Sequence, residues 1–383
     1  MPLHIKTFAV LIFCLFSANS SADDLIDMLT RMSEANQNQN YQGIFILRKS
    51  DKLSTLQVTH GVDGEGAWES LESINGEPRK VIRRNKQVVS VFPNRKLVTI
   101  RQMDDKRSLH PQLPGNMDQL TLFYSMDRLR DDRIANRQTL VIDLMPKDQY
   151  RYGYRYWVDK ETGMLLRCDL FDEDKTVVEQ MMFTSLRYLS EAPVETFNIK
   201  DYENYKLQQL DVPEASQHIN TQQWTVNRLP KGFMLTQSVM RKVQPQVASH
   251  SNAIESAASA TIPAAIPAEI PDTQLPGAPP SHNILPHITA ANAVTDAASI
   301  DKSAQPKLLH MVYSDGLASV SVFIEKNQGA GNHLQGASSM GAVNAFGHLV
   351  KTYFVTVVGE VPAKTVKAMA QSTIKIPQAQ LVE

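Results

Sequence analysis

The segment from Tyr313 to Glu325 most constrains the fold of this chain, because it joins a tight-turn signal to an alternating run. Asp315-Gly316 lies between two strand-like stretches, and a tight turn needs residues that tolerate positive φ. The residues after the turn divide between the two faces of a strand, Val320, Val322 and Ile324 on one face and Ser319, Ser321 and Phe323 on the other. The pattern predicts a β-hairpin.

The amino terminus has the layout of a secretory signal peptide. Lys6 precedes an uncharged run from Phe8 to Phe16, and Ser20-Ser21-Ala22 supplies the small residues of a cleavage site. The run is shorter than the roughly 20 residues that span a bilayer. We therefore expect residues 1–22 to be a signal peptide that is cleaved after about Ala22, with an uncleaved membrane anchor as the alternative.

Composition limits the chemistry of the exported chain. After cleavage only Cys168 remains, so no internal disulfide is expected, and its place in a strand-like run favours a packed small hydrophobe over a reactive thiol. The formal net charge is -1 and no block of Lys and Arg dominates. We therefore expect no nucleic-acid partner.

The length of 383 residues suits two domains, and we place the larger at residues 23–210. It opens with an amphipathic helix, since Leu25, Leu29 and Met32 recur at helical spacing, and a second helix is predicted at Met117–Leu129. Apolar runs between turn residues predict the strands Tyr41–Arg48, Leu53–Gly61, Ala67–Ile74, Arg79–Arg84, Gln87–Phe92, Lys96–Arg101, Gln138–Leu144, Tyr150–Asp159, Met164–Asp172 and Thr176–Leu189.

Successive antiparallel strands with few helices predict an α+β fold whose large domain is one curved sheet, a half-open barrel wrapped around helices. Such a sheet is either a container for acyl chains or an ordinary core. A polar linker at 211–223 then leads to a smaller α+β domain at 224–383. Its predicted elements are strands at Trp224–Arg228, Met234–Val243, Lys307–Tyr313, Leu317–Glu325, Ala342–Val350 and Thr352–Val358 and a closing helix at Ala363–Ile374.

The stretch 244–306 interrupts the smaller domain and has a different composition. It is rich in Ala, Ser and Pro, lacks aromatic residues, and repeats Ile-Pro every four residues at Ile262, Ile266 and Ile270. Such a segment cannot bury enough apolar surface to offset its ordering entropy, so we expect a disordered insertion. It is either a tolerated expansion or a tether for a partner.

The sequence contains no convincing catalytic or metal-binding pattern. Ala337-Ser338-Ser339-Met340-Gly341 imitates a nucleophile elbow loosely, but an elbow requires a strand-to-helix turn, and a serine-rich strand or loop explains it equally. No pair of histidines has the i, i+4 spacing with a glutamate that a helical zinc site shows. We therefore predict a binding protein that is not an enzyme, with no catalytic residues, no metal and no cofactor.

Several short blocks, in order, resemble the RseB/MucB family of periplasmic regulators of the sigma-E envelope-stress response. In the large domain they are Gly76–Arg84, Tyr154–Asp159 and Leu165–Asp169. In the small domain they are Trp224–Phe233, Tyr313–Leu317 and Gly359–Pro362. The resemblance covers nearly the whole mature chain except the insertion, which departs from the family pattern.

The resemblance implies a large domain similar in fold to the lipoprotein carriers LolA and LolB. It also implies a periplasmic protein that is peripheral to the inner membrane through its partner, the periplasmic domain of an RseA/MucA-type anti-sigma factor. Family members shield that partner from regulated proteolysis, and lipopolysaccharide or lipoprotein acyl chains are expected to release them. A periplasmic lipid or lipoprotein carrier of the LolA/LolB type is the alternative, and an envelope hydrolase using Ser339 is third.

Two sets of residues follow as candidate sites. The apolar lipid contacts are Val89, Val91, Leu120, Phe123 and Tyr124. A basic rim for lipid phosphates comprises Arg79, Lys80, Arg83 and Arg84, since guanidinium groups pair with phosphate, although exposed charge at a strand end explains the rim equally. The candidate anti-sigma contacts are Trp224, Phe233, Tyr313 and Leu317, which core packing also explains.

Overall fold

The computed structural model describes residues 20–102, 117–194, 197–210, 223–242, 307–327 and 333–376. Most of the expected signal peptide and linker, and all of the insertion, lie outside these residues. The three helices in the described ranges are α1 (Ser20–Asn38), α2 (Met117–Phe123) and α3 (Ala363–Gln371). Among the described residues, no helix has the length and apolar character needed to cross a membrane.

Thirteen strands form one large sheet. They are β1 (Tyr41–Lys49), β2 (Lys52–Asp63), β3 (Gly66–Ser73), β4 (Lys80–Arg84), β5 (Gln87–Phe92), β6 (Leu97–Gln102), β7 (Tyr124–Arg128), β8 (Asp132–Ile134), β9 (Arg137–Pro146), β10 (Gly153–Asp159), β11 (Leu165–Phe171), β12 (Val177–Tyr188) and β13 (Lys206–Leu210). The order is β13-β6-β5-β4-β3-β2-β1-β12-β11-β10-β9-β7, with β8 paired to β9. All pairs are antiparallel except β13 with β6.

Alternation of side chains gives the large sheet two apolar faces. One core contains Tyr41, Phe45 and Leu56 of β1 and β2 together with Trp157 and Leu166 of β10 and β11. The residues of β10 and β11 that alternate with Trp157 and Leu166 lie on the opposite face of the sheet and pack under α1 and α2. This second core also receives Leu317 and Ala342 from the carboxy-terminal part of the chain.

The carboxy-terminal part contains β14 (Trp224–Val226), β15 (Met234–Lys242), β16 (Lys307–Ser314), β17 (Ser319–Lys326), β18 (Gly336–Met340), β19 (Val343–Val350), β20 (Tyr353–Gly359) and β21 (Thr373–Lys375). Six of them form a small sheet of order β15-β16-β17-β20-β19-β18, and β14 pairs with β21. The predicted hairpin is confirmed, since Ser314 faces Ser319 and Gly316 has a φ of 100°. Val320, Val322 and Ile324 lie buried in one core, as the alternation predicts.

The predicted α+β class with a large and a smaller sheet is confirmed, and two of the predicted helices end earlier than expected. The helix expected at Met117–Leu129 is wrong beyond Phe123, because Tyr124–Arg128 pairs with β9 as a strand. The closing helix ends at Gln371, and the residues expected to complete it form β21. In both places an available strand partner overrides local helical periodicity.

Candidate functional site

Arg151 lies at the junction of the two sheets and is the largest fully buried side chain among the described residues. It sits in the connection between β9 and β10 of the large sheet. Its Nε lies 3.0 Å from Asp315 Oδ2, its Nη1 lies 3.2 Å from Asp148 Oδ2, and its Nη2 donates to Lys231 O at 2.5 Å. Two of these three partners therefore belong to the carboxy-terminal part of the chain.

Three aromatic rings surround the same guanidinium. Its central carbon lies 4.8 Å from the ring centre of Phe123, 5.1 Å from that of Phe233 and 5.9 Å from that of Tyr124. A cation this close to ring faces is attracted by their quadrupoles, and the attraction grows when water is excluded. We call Phe123, Tyr124, Arg151, Phe233 and Asp315 the Arg151 junction.

The Asp315 carboxylate is oriented by its own turn. Its Oδ1 accepts hydrogen bonds from the backbone N–H groups of Leu317 at 3.0 Å and Ala318 at 2.7 Å, which leaves Oδ2 for Arg151. Burial raises the pKa of this carboxyl, although the Arg151 charge acts in the opposite direction. The turn that the sequence marks as a hairpin thus also supplies the acidic half of a buried ion pair.

Gly232 allows the closest approach at the junction. A Cβ at this position would lie 2.4 Å from the Phe123 ring, and the residue has a φ of 87°. Both the contact and the left-handed backbone exclude other residues without strain. The Pro230–Gly232 turn can therefore lie directly on α2.

A second set of contacts joins the sheets beside the Arg151 junction. Asn344 Nδ2 donates to Tyr152 OH at 2.9 Å and to Val361 O at 2.8 Å. Thr365 Oγ1 donates to Tyr150 O at 2.9 Å. The bonds to Tyr152 and Tyr150 connect β19 and α3 of the carboxy-terminal part to the same β9–β10 connection that carries Arg151.

A carboxylate pair lies across the junction of the sheets at β12. Glu179 Oε1 accepts from Ala342 N at 3.2 Å, and Glu179 Oε2 lies 3.6 Å from Lys49 Nζ. Burial and the nearby Glu179 charge raise the pKa of Glu360 to about 8, against the opposing effect of Lys49. At neutral pH this arrangement favours a protonated Glu360.

The predicted apolar lipid contacts fall into two separate places. Leu120 and Tyr124 are buried in the core under α1 and α2, and Phe123 is half-buried against Arg151. Val89 and Val91 lie in another core, covered by Phe197, Tyr202 and Tyr205. The structure therefore brings three of the five residues together, at the junction of the sheets.

The predicted basic rim does not form one surface. Alternation along β4 places Lys80 and Arg84 on one face and Arg83 on the other. Lys80 pairs with Glu72 at 2.8 Å, and Arg84 pairs with Asp63 at 2.9 Å and Glu65 at 3.2 Å. Arg79 lies over the Phe92 ring at 5.4 Å. The positive charge of Lys80 and Arg84 is thus largely compensated within the chain.

Lys80 also lines a cavity of about 210 Å³ between β1–β4 and the segment after β12. The volume is below the roughly 300–1,000 Å³ of typical small-molecule sites. Its polar lining side chains are Gln42, Gln57, Thr59, Ser70, Glu72 and Lys80. The cavity therefore fits a polar group better than an acyl chain.

The predicted anti-sigma contacts are packed residues in this structure. Trp224, Phe233 and Tyr313 are 8%, 4% and 4% exposed and share the core of the small sheet. Leu317 is half-buried and packs against the core of the large sheet. Phe233 therefore belongs to the Arg151 junction, and Leu317 contacts the large-sheet core. Trp224 and Tyr313 lie within the small-sheet core.

Sequence reasoning misses the central residue of the site. Arg151 follows Asp148-Gln149-Tyr150 in a stretch with no periodicity that would mark it, and its partners Lys231 and Asp315 are distant in sequence. Local patterns identify Asp315 and Gly232 as turn residues only. Their turn signals locate both residues but do not indicate that the two turns meet Arg151 and Phe123.

Ser339 lies on β18 at an edge of the small sheet, as a serine-rich strand predicts. Its hydroxyl donates to Asn344 Oδ1 at 2.6 Å, and a carboxamide oxygen is not a general base. Within the described ranges, no group of three His, Cys, Asp or Glu side chains is placed to hold a metal ion. Cys168 is buried and free, and burial raises the pKa of its thiol.

Comparison with known proteins identifies two matching family models. The MucB/RseB N-terminal domain model matches residues 24–210, and the MucB/RseB C-terminal domain model matches residues 291–374. The two ranges together exceed half of the chain and follow each other in the family's order.

Individual relatives agree with this match. The chain is 29% identical over 224 residues to the sigma factor AlgU regulatory protein MucB of Pseudomonas aeruginosa, which covers 58% of this chain and 68% of that protein. It is 25% identical over 240 residues to the sigma-E factor regulatory protein RseB of Haemophilus influenzae, which covers 61% and 74%. A solved Pseudomonas aeruginosa MucA/MucB complex shares the fold, with a TM-score of 0.58 at 24% identity over 92% of this chain and 99% of that one.

Proposed function

Because this chain belongs to the MucB/RseB family, we propose that it is a periplasmic negative regulator of a sigma-E-type response. It binds the periplasmic part of a membrane-bound anti-sigma factor and shields it from regulated proteolysis. The observation that carries the proposal is the match to both family domains in order, with relatives named as sigma-factor regulators. The MucA partner in a related solved complex supports the choice of partner.

The proposal includes the form in which the protein acts. It is exported, loses residues 1–22, and works as a binding protein rather than an enzyme, peripheral to the inner membrane through its partner. It has a large domain at 23–210 and a small domain at 224–383, joined by the linker at 211–223, and both domains contribute to binding. The contacts of Ser339 with an amide instead of a base support a binding role.

Release by a lipid signal requires a difference in affinity. A lipid or lipopolysaccharide shifts the equilibrium only if it binds the free regulator better than the anti-sigma-bound regulator. We place this signal beside α2, because Leu120, Phe123 and Tyr124 lie there together and Phe123 and Tyr124 contact Arg151. An acyl chain that displaced Phe123 would also disturb the contact between the sheets.

The test is a titration of the mature protein, residues 23–383, against the periplasmic fragment of the anti-sigma factor from the same organism. Calorimetry with and without lipopolysaccharide should show saturable binding that the lipid weakens. Absence of binding in both conditions would overturn the regulator and leave the carrier, which should retain lipid through purification and deliver it to an acceptor membrane.

Two neighbouring variants locate the lipid effect. Phe123→Ala should reduce the effect of lipopolysaccharide, because it removes an apolar ring at the proposed site. Leu122→Ala is the matched control, since Leu122 is on the same helix but 65% exposed. An equal lipid response in both variants would place the lipid elsewhere.

A further inference from the structure

Among the contacts between the two sheets, one is made by a buried side chain that belongs to neither apolar core. Arg151 is 1% exposed and carries a permanent charge. A buried charge is tolerated only when it is paired and hydrogen-bonded. Here Asp315 and Lys231 O supply two of the three partners, and both come from the carboxy-terminal part.

Three contacts from the carboxy-terminal part converge on the Arg151 guanidinium. Nη2 donates a hydrogen bond to Lys231 O, and a planar guanidinium donates in fixed directions. Nε lies 3.0 Å from Asp315 Oδ2, an ion pair without an aligned hydrogen bond, and the Phe233 ring centre lies 5.1 Å from the central carbon. A rotation of the small sheet would separate Asp315 from Arg151 and leave Arg151 with Asp148 as its ion-pair partner.

We propose that Arg151 is a positioning residue for the anti-sigma interaction: by joining Asp315, Lys231 and Phe233, it fixes the placement of the small domain that the partner recognises. The inference rests on the proposed function, and it adds the device that sets the binding-competent arrangement. Because Arg151 is 1% exposed, the proposal assigns it no direct contact with the partner. Its effect on binding passes through the position of Asp315 and Phe233.

The first experiment measures the arrangement and the affinity in the same variants. Arg151→Met removes the charge and keeps most of the volume. Asp315→Asn is gentler, because an amide oxygen still accepts from Leu317 N and Ala318 N while the charge partner of Arg151 is lost. Both variants should broaden the small-angle scattering distance distribution and weaken binding of the anti-sigma fragment by at least tenfold, with each sheet still folded by circular dichroism.

Arg137→Met is the matched control. Arg137 pairs with the buried Asp159 and lies 4.7 Å from the Tyr188 ring centre, so it also combines an ion pair with an aromatic contact. All of these groups belong to the large sheet. The control should lower stability and leave the scattering profile and the affinity as in the wild type. A folded Arg151→Met protein with wild-type affinity would overturn the proposal.

These outcomes are distinct from failure of the proposed function. If the wild-type protein does not bind the fragment, the regulator fails. The scattering comparison of Arg151→Met with Arg137→Met still tests whether Arg151 fixes the arrangement of the sheets.

Discussion

Two buried ion pairs in this protein do different jobs. Asp159 in the large sheet accepts from Arg137, from Glu161 N at 3.1 Å, and from Thr162 Oγ1 and Tyr188 OH at 3.0 Å each. Asp315 accepts from its own turn and pairs with Arg151, which belongs to the large-sheet part of the chain. The first pair pins a hairpin inside one sheet, whereas the second joins two sheets.

The two aspartates differ in the interactions that remain when the paired arginine is removed. Asp159 keeps three hydrogen-bond donors if Arg137 is lost, so its carboxylate remains hydrogen-bonded. Both turn hydrogen bonds of Asp315 go to Oδ1, so loss of Arg151 removes the ion-pair partner of Oδ2 and leaves the Tyr124 hydroxyl as the neighbouring side-chain group. We therefore expect the loss of Arg151 to cost more stability than the loss of Arg137.

The largest expected effect is a difference in the free energy of unfolding between variants at Arg151 and at Arg137. Arg151→Met should lower the free energy of unfolding by about 3–5 kcal/mol, because breaking a buried pair leaves an uncompensated charge. Arg137→Met should cost about 1–2 kcal/mol, since Asp159 retains its other donors. Urea denaturation followed by circular dichroism measures both values. Equal losses would show that the two pairs are equivalent.

A smaller loss of stability is expected when Gly232, whose backbone lies against the Phe123 ring, is replaced. Gly232→Ala should destabilise the protein by about 2–4 kcal/mol, the sum of left-handed strain and overlap with the Phe123 ring. Gly76→Ala is the control, because Gly76 has a φ of 75° and a Cβ added there would meet no atom within 4 Å, so only the strain remains. Thermal unfolding of both variants gives the difference, and its absence would argue against the close contact with Phe123.

The smallest expected effect is a pH dependence of the contact between the sheets. Glu360 has a pKa raised from 4.5 to about 8, so the folded form holds a proton that the unfolded form has lost above about pH 4.5. The contribution of Glu360 to stability is therefore full below about pH 4.5, falls as the pH rises towards 8 and is lost above it. We expect a loss of about 1 kcal/mol over this window, because the carboxyl is only half-buried and partly screened.

Glu360→Gln tests that assignment. The charged groups facing Glu360 are Glu179 and Lys49. The amide cannot ionise, so the variant should lose this part of the slope in a series of melting temperatures between pH 5 and 8. An unchanged slope would assign the pH dependence to other groups, such as the buried Asp315, whose pKa is also raised.

Much of the fold is predictable because its signals are local. The alternation after Gly316 predicts that Val320, Val322 and Ile324 lie in a core, and the structure confirms it. The run Gln87–Phe92 forms a strand with its predicted bounds. Each of these signals lies within a few residues of chain, where spacing and turn chemistry act directly.

Predictions fail where a distant partner decides the outcome. Tyr124–Arg128 has helical spacing of apolar residues but forms a strand, because β9 offers a hydrogen-bonding edge. The local pattern does not predict β13, since its parallel partner β6 is distant in sequence. Phe123 and Phe233 are expected from sequence to be separate lipid and partner contacts, yet both lie on the same guanidinium.

The sequence by itself determined most of the strands, the buried face of the strand after Gly316, the Asp315-Gly316 turn and the resemblance to a regulator family. Only the tertiary structure decided that Arg151 meets Asp315 and that Gly232 meets Phe123. The reason is physical: side-chain periodicity acts over a few residues of chain, whereas a buried charge selects its partner by position in space. The link between the two sheets is therefore absent from any local pattern and appears only once both sheets have formed.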